Sequence, residues 1–156
     1  MRRAFGVVSA LAFLALLAAC SNNGVRRQIN PPGASIQQLA VQPDGTWQLT
    51  VRLQNFSNVS TTFASLTGKL LIASEDAGSF SAAPGIGIGP ESADVVIANL
   101  SPALGAKLQV AAALATAQPV AYTLSGEVVT SEPKGRHDFT YTSTLTPAPG
   151  LRGVLR

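Results

Sequence analysis

From Trp47 to Gln54 the chain alternates apolar and polar residues without a break. A period of two places Trp47, Leu49, Val51 and Leu53 on one face of an extended strand and the polar residues on the other. The same alternation returns in Ala64, Leu66, Gly68, Leu70 and Ile72, in Val120, Tyr122, Leu124, Gly126 and Val128, and in Phe139, Tyr141, Ser143 and Leu145. Polar residues, notably Thr140, Thr142 and Thr144, lie between most of them. One dry and one wet face per strand implies antiparallel sheets packed dry face to dry face, so the fold class is mainly β, an antiparallel sandwich of the immunoglobulin or fibronectin kind. Gln42-Pro43-Asp44-Gly45-Thr46 supplies turn chemistry ahead of the first clear strand and makes Ile36–Val41 its hairpin partner.

One segment has the other period. Leu104, Leu108, Ala111 and Ala115 recur at helical spacing, flanked by Leu114, and Pro119 ends the run. Ser101 reads as the N-cap and Pro102 as the first helical residue, predicting one helix from Pro102 to about Ala117. Its alanine face and low charge imply that much of it is covered. Gly85-Ile86-Gly87-Ile88-Gly89-Pro90 lacks the spacing of a phosphate-binding loop and reads as a bent or bulged strand.

Cys20 is the only cysteine, so the domain is held by packing alone and no disulfide is available. Arg2 and Arg3, an apolar run from about Ala4 to Leu17 and small residues before Cys20 form the three parts of a secretory signal. The run is shorter than the roughly 20 residues a membrane-spanning helix requires. Leu17-Ala18-Ala19-Cys20 resembles the lipobox of bacterial lipoproteins. That resemblance implies a diacylglycerol on the Cys20 thiol, cleavage before it, and attachment to a membrane through the lipid. In Gram-negative lipoproteins an Asp after the lipidated cysteine favours the inner membrane; Ser21 stands there, implying the periplasmic face of the outer membrane. The organisation expected is a signal peptide over 1–19, a lipidated cysteine and flexible tether over 20–34, a sandwich over 35–146 and a Pro/Gly-rich tail over 147–156.

Eleven Lys and Arg against eight Asp and Glu give a formal charge of +3. Removing Arg2 and Arg3 with the signal leaves nine minus eight, or +1. The remaining basic residues are scattered, which argues against nucleic acid as a partner. Arg26 and Arg27 stand near the lipid end, where each basic residue near an anionic surface is worth about 1 kcal/mol.

The order of elements resembles the late embryogenesis abundant type 2 family, which includes the water stress and hypersensitive response domain. The residues that carry it are a strand ending in an asparagine (Val51 to Asn55), a strand with Gly68, a loop into Ile86–Pro90, and a short strand Asp94–Ile97. A helix, Tyr122-Thr123-Leu124-Ser125-Gly126 and a Phe/Tyr-rich final strand complete the series. Many members carry Asn-Pro after the first long strand; this chain has Asn55-Phe56-Ser57. The resemblance, over roughly Ile36 to Leu145, implies a role in desiccation or stress rather than catalysis.

Nothing in the residues argues for an enzyme. His137 is the only histidine, and Asp138 beside it on a strand points to the opposite face. The carboxylates are spread along the chain; Glu75-Asp76 and Glu91 to Asp94 would bind a cation only if loops brought them together. No Gly-x-Ser-x-Gly elbow occurs. No cofactor, metal or small-molecule substrate is expected. Asn55, Asn58 and Asn99 fit glycosylation sequons but read as turn and cap residues. The tail from Thr146 to Arg156 is too rich in Pro and Gly to add to a sheet and reads as a frayed end, with Leu151, Val154 and Leu155 offering a second possibility of docking. The expected function is a membrane-anchored, non-catalytic sandwich that protects or binds envelope components. The alternative is a scaffold or pilot subunit of an envelope secretion or transport assembly, with an envelope protein as partner.

Overall fold

The computed structural model describes residues 26–156. The signal segment, Leu17, Ala18, Ala19, Cys20, Ser21 and the first part of the tether lie outside the described residues.

Among the described residues the chain forms two antiparallel sheets and one helix. The strands are β1 (Gly33–Val41), β2 (Trp47–Gln54), β3 (Thr61–Ile72), β4 (Glu75–Ala82), β5 (Ile86–Ile88), β6 (Ala93–Leu100), β7 (Val120–Glu132), β8 (Lys134–Leu145) and β9 (Val154–Leu155), and the helix α1 (Leu104–Thr116) joins β6 to β7. One sheet has the order β6-β2-β1-β9; the other has β4-β3-β7-β8, with β5 paired to the start of β3. Trp47, Leu49, Val51 and Leu53 are all buried, as their alternation requires, and meet Leu66, Leu70, Ile72, Leu124 and Val128 of the facing sheet in one core.

The expected hairpin forms between β1 and β2. The Gln42 carbonyl accepts from the Gly45 N–H at 2.9 Å, Gly45 takes φ +83°, and the Asp44 carboxylate accepts from both the Thr46 N–H (2.9 Å) and its hydroxyl (2.6 Å). Those hydrogen bonds hold the Asp44 carboxyl below the usual carboxylate range. Gly68 and Gly126 stand opposite each other on β3 and β7, flanked in register by Phe80 and Phe139. Close approach fixes both: a Cβ on Gly68 would come within 2.5 Å of the Phe80 ring, and one on Gly126 would run into the Thr67 carbonyl.

Four expectations are corrected. The helix starts later than Ser101-Pro102 predicted: its N-cap is Ala103, without a side-chain capping bond. Its buried face is Ala106, Val110 and Ala113, not the Leu104, Leu108, Ala111, Ala115 stripe. Leu104 and Leu108 are 71% and 61% exposed. Alanine on both stripes makes either face able to dock closely, so periodicity could not choose between them. The third correction is the tail. Val154 and Leu155 pair with Ala40 and Leu39 of β1, and Thr146 and Arg156 exchange two backbone hydrogen bonds. Pro147, Pro149, Gly150 and Gly153 make the turn that brings the end back, and Leu155 is fully buried. The fourth is the tether's last residues: Gly33 and Ala34 belong to β1, and Asn30 is held by the Ser57 hydroxyl (2.9 Å) and the Phe56 carbonyl (2.7 Å).

Candidate functional site

The loop after β2 organises one end of the sandwich. Asn55 is buried, and its amide donates to the carbonyls of Val59 (2.8 Å), Ile88 (3.1 Å) and Gly89 (2.8 Å). Its side-chain carbonyl accepts from the Ser57 N–H (2.9 Å) and the Thr61 hydroxyl (3.2 Å). One side chain thus ties the loop to β3, β5 and the turn that follows β5. The next residue, Phe56, is turned outward and its ring covers Gly33.

Beside that ring lies a cleft of about 400 Å³ on the open flank between β1 and β8. Phe56, Phe139 and Tyr141 supply its aromatic wall, Pro32 and Ala34 its apolar floor, and Arg52 its charge. The Arg52 guanidinium donates to Gln54 Oε1 at 2.9 Å, and no carboxylate pairs with it among the described residues. Ser35 and Thr140 add hydroxyls; the lining contains neither a carboxylate nor a histidine. Such a surface favours an apolar or aromatic group, through stacking and burial, with a polar or anionic end near the guanidinium.

Tyr122 spans the two sheets just inside this flank. Its hydroxyl accepts from the Ile36 N–H at 3.2 Å and lies 3.4 Å from the Ile36 carbonyl, where β1 bulges between Ile36 and Gln38. Burial pushes its phenol above the usual value, and the Ile36 backbone opposes that shift. Tyr141, 6.3 Å away between ring centroids, continues the aromatic surface outward.

The residues singled out for chemistry do not assemble. His137 sits within β8, half-buried, beside Gly135 and opposite Val128. Asp138 is exposed opposite Glu127, whose carboxylate is bridged by Arg136 at 2.7 Å. Glu75 stands against the start of α1, Asp76 pairs with Lys69 at 2.8 Å, and Glu91 lies at the other end beside Ser57. That pairing lowers the Asp76 carboxyl below its ordinary value. No group of three or more His, Cys, Asp or Glu with metal-binding geometry occurs among the described residues. Asn55 and Asn58 serve the turn as read, whereas Asn99 lies in β6.

Alternation alone places Tyr141 on the dry face of its strand, whereas it is 46% exposed at the rim of the sandwich and lines this cleft, and no local pattern joins it to Phe56 and Arg52. The available signal was Phe56 itself, a large aromatic ring in a turn where no alternation demands one.

No family model matches the sequence, and no curated protein matches it. Solved structures overlap loosely. A protein from Archaeoglobus fulgidus is 10% identical with a TM-score of 0.44, covering 78% of this chain and 98% of that one. A protein from Arabidopsis thaliana, solved in solution, is 9% identical with a TM-score of 0.48, over 81% and 84% of the two chains. A candidate late embryogenesis abundant (LEA) protein is 13% identical with a TM-score of 0.46, over 94% and 87%.

Proposed function

We propose that this chain is a lipid-anchored, non-catalytic sandwich of the immunoglobulin or fibronectin kind that binds apolar or aromatic groups of the cell envelope and protects them under drying or osmotic stress. The observation that carries the reading is the cleft: three aromatic side chains, a guanidinium bonded to Gln54 but to no carboxylate among the described residues, and hydroxyls, without a nucleophile and base held together. It is built for burial and stacking rather than for bond cleavage. With an anchor at Cys20 the cleft stands close to the tether, because Pro32 and Gly33, at the entry of the N-terminal segment, line it. An envelope-facing ligand would therefore lie next to the tether, on the periplasmic face of the outer membrane as Ser21 implies.

The alternative of a scaffold or pilot subunit draws on a different feature, the exposed Leu104 and Leu108 at the end of the sandwich away from the N-terminal segment. An anchored domain would present them away from its membrane.

One complementation experiment tests the main reading. Cells lacking the gene should survive drying poorly and be restored by the wild-type gene. Neither Cys20→Ser, unlabelled by palmitate, nor Phe56→Ala with Tyr141→Ala should restore them. Equal survival of the deletion strain overturns the protective role, and palmitate on the Cys20→Ser protein overturns the anchor.

A further inference from the structure

The stretch of chain ahead of β1 is strapped to the loop that follows β2. The Asn58 amide donates to the Arg26 carbonyl at 2.7 Å, and its side-chain oxygen accepts from the Gln28 N–H at 2.7 Å. The Gln28 carbonyl in turn accepts from the Asn58 N–H at 3.2 Å. Asn30 completes the strap through the Ser57 hydroxyl and the Phe56 carbonyl. The sandwich therefore holds its own chain from Arg26 onward, and only residues 21–25 separate that point from Cys20. The Cα-to-Cα steps from Cys20 to Arg26 span at most about 20 Å, however the chain is drawn out.

This end of the molecule has a surface chemistry of its own. Ile29 on the strap and Phe56 on the loop that holds it are 51% and 53% exposed. Arg26 and Arg27 are exposed at the head of the strap. Lys134, exposed at the start of β8, lines one small pocket with Ile29. The exposed acidic residues here are Glu91, whose N–H donates to the Ser57 carbonyl, and Glu132, opposite Thr62 at the start of β3. Three basic minus two acidic residues leave the end positive by one. Half-exposed apolar side chains next to paired arginines make up an interfacial anchor: the apolar groups enter the boundary of the acyl chains and the basic groups meet headgroup phosphates.

We propose, on the basis of the lipid anchor at Cys20 put forward above, that this end of the sandwich docks on an anionic lipid bilayer, with Ile29 and Phe56 seated at headgroup level and Arg26 and Arg27 against phosphate. Reach selects the occupant. With the lipid of Cys20 in the bilayer, Arg26 stands no more than about 20 Å from its surface. A folded partner does not fit that gap, because even a 100-residue domain has a radius of gyration of about 13 Å. Reach also selects the orientation. β2 has eight residues and is about 27 Å long, so a domain resting on α1 would hold Arg26 farther from the bilayer than 21–25 can span. Docking brings the aromatic cleft, which shares Phe56, beside the headgroups and turns Leu104 and Leu108 away from them.

The lipidated full chain tests this in vesicles of phosphatidylcholine and phosphatidylglycerol whose acyl chains are brominated near the headgroups, a short-range quencher of tryptophan emission. Trp47, 1% exposed, gives a constant background measured in the wild type. Ile29→Trp should lose about half or more of its added emission, since a docked side chain lies within about 5–10 Å of the acyl boundary. Ile97→Trp on the side of the sandwich and Leu108→Trp on α1 should keep theirs. Adding Arg26→Glu and Arg27→Glu to Ile29→Trp should weaken docking by about fivefold or more, read as recovered emission. The contacts of the strap to Arg26 are made by backbone and survive that change. The mass of the N-terminal peptide reports the lipid on Cys20 separately. Quenching at position 29 in protein without that lipid overturns the anchor and keeps the docked end. Position 29 left unquenched, equal quenching at 29, 97 and 108, or charge reversal without recovery overturns the docked end, and lipid on Cys20 then leaves the anchor standing.

Discussion

Asn55 shows how much one residue decides at the smallest scale. The two hydrogens of its amide are shared among three backbone carbonyls, and only an amide has both the donors and the acceptor this position uses. Asn55→Asp preserves the shape but removes the donors and sets a carboxylate against those carbonyls. The expected loss is about 3 kcal/mol or more, since each buried group left unsatisfied costs about 1–3 kcal/mol. Chemical denaturation checks it, and a loss under about 1 kcal/mol would show that the loop relaxes to water. Tyr122 gives a pH dependence. Its folded phenol is shifted upward by burial, so its contribution to stability is fully present below the unfolded value, about pH 10, and is lost as pH rises through the folded value. Tyr122→Phe should cost about 1–3 kcal/mol at neutral pH by orphaning the Ile36 N–H, and should flatten the alkaline fall in stability. Thermal melts from neutral pH upward measure both, and an unchanged alkaline slope in the variant would assign that slope to another group.

Among the elements, the strands with strict alternation were legible and those without it were not. β2 announces itself because every second residue is apolar and every one of those is buried. β4 contains only Ala77 and Phe80 as buried apolar residues, and the turn before it is made by Ala73 and Ser74 at φ 48° and 71°, where glycine or asparagine would have signalled a hairpin. Its existence comes from pairing with β3. The tail was misread for a related reason: its proline and glycine residues belong to the turn, and the two residues that pair are too few to show a period. Leu155→Ala should cost about 2–5 kcal/mol, the range for a buried leucine replaced by alanine. If unfolding in urea shows a change under about 1 kcal/mol, the hairpin end docks without contributing to the core.

For the whole molecule, the two ends of the sandwich differ in chemistry. The N-terminal segment, the Asn55 loop and the aromatic cleft share one end and its flank, while α1 with its exposed leucines occupies the other. None of the residues that suggested chemistry by type, His137 or the scattered carboxylates, is brought into a cluster; the surface that does assemble comes from Arg52 and Phe56 on one stretch of chain and Phe139 and Tyr141 on another. The sequence by itself determined the mainly β character, the helix among the described residues, and the inward faces of β2, of β7 and of β3 from Leu66 onward, because those follow from local period and turn chemistry; at the start of β3 the register shift between Phe63 and Ser65 buries Phe63 in place of the expected Ala64. Only the tertiary structure decided which stripe of α1 is buried, that the last residues close the edge beside β1, and that distant aromatic residues line one cleft. Those outcomes depend on what an element meets across the core, and a short or doubly apolar segment carries no local signal of its partner.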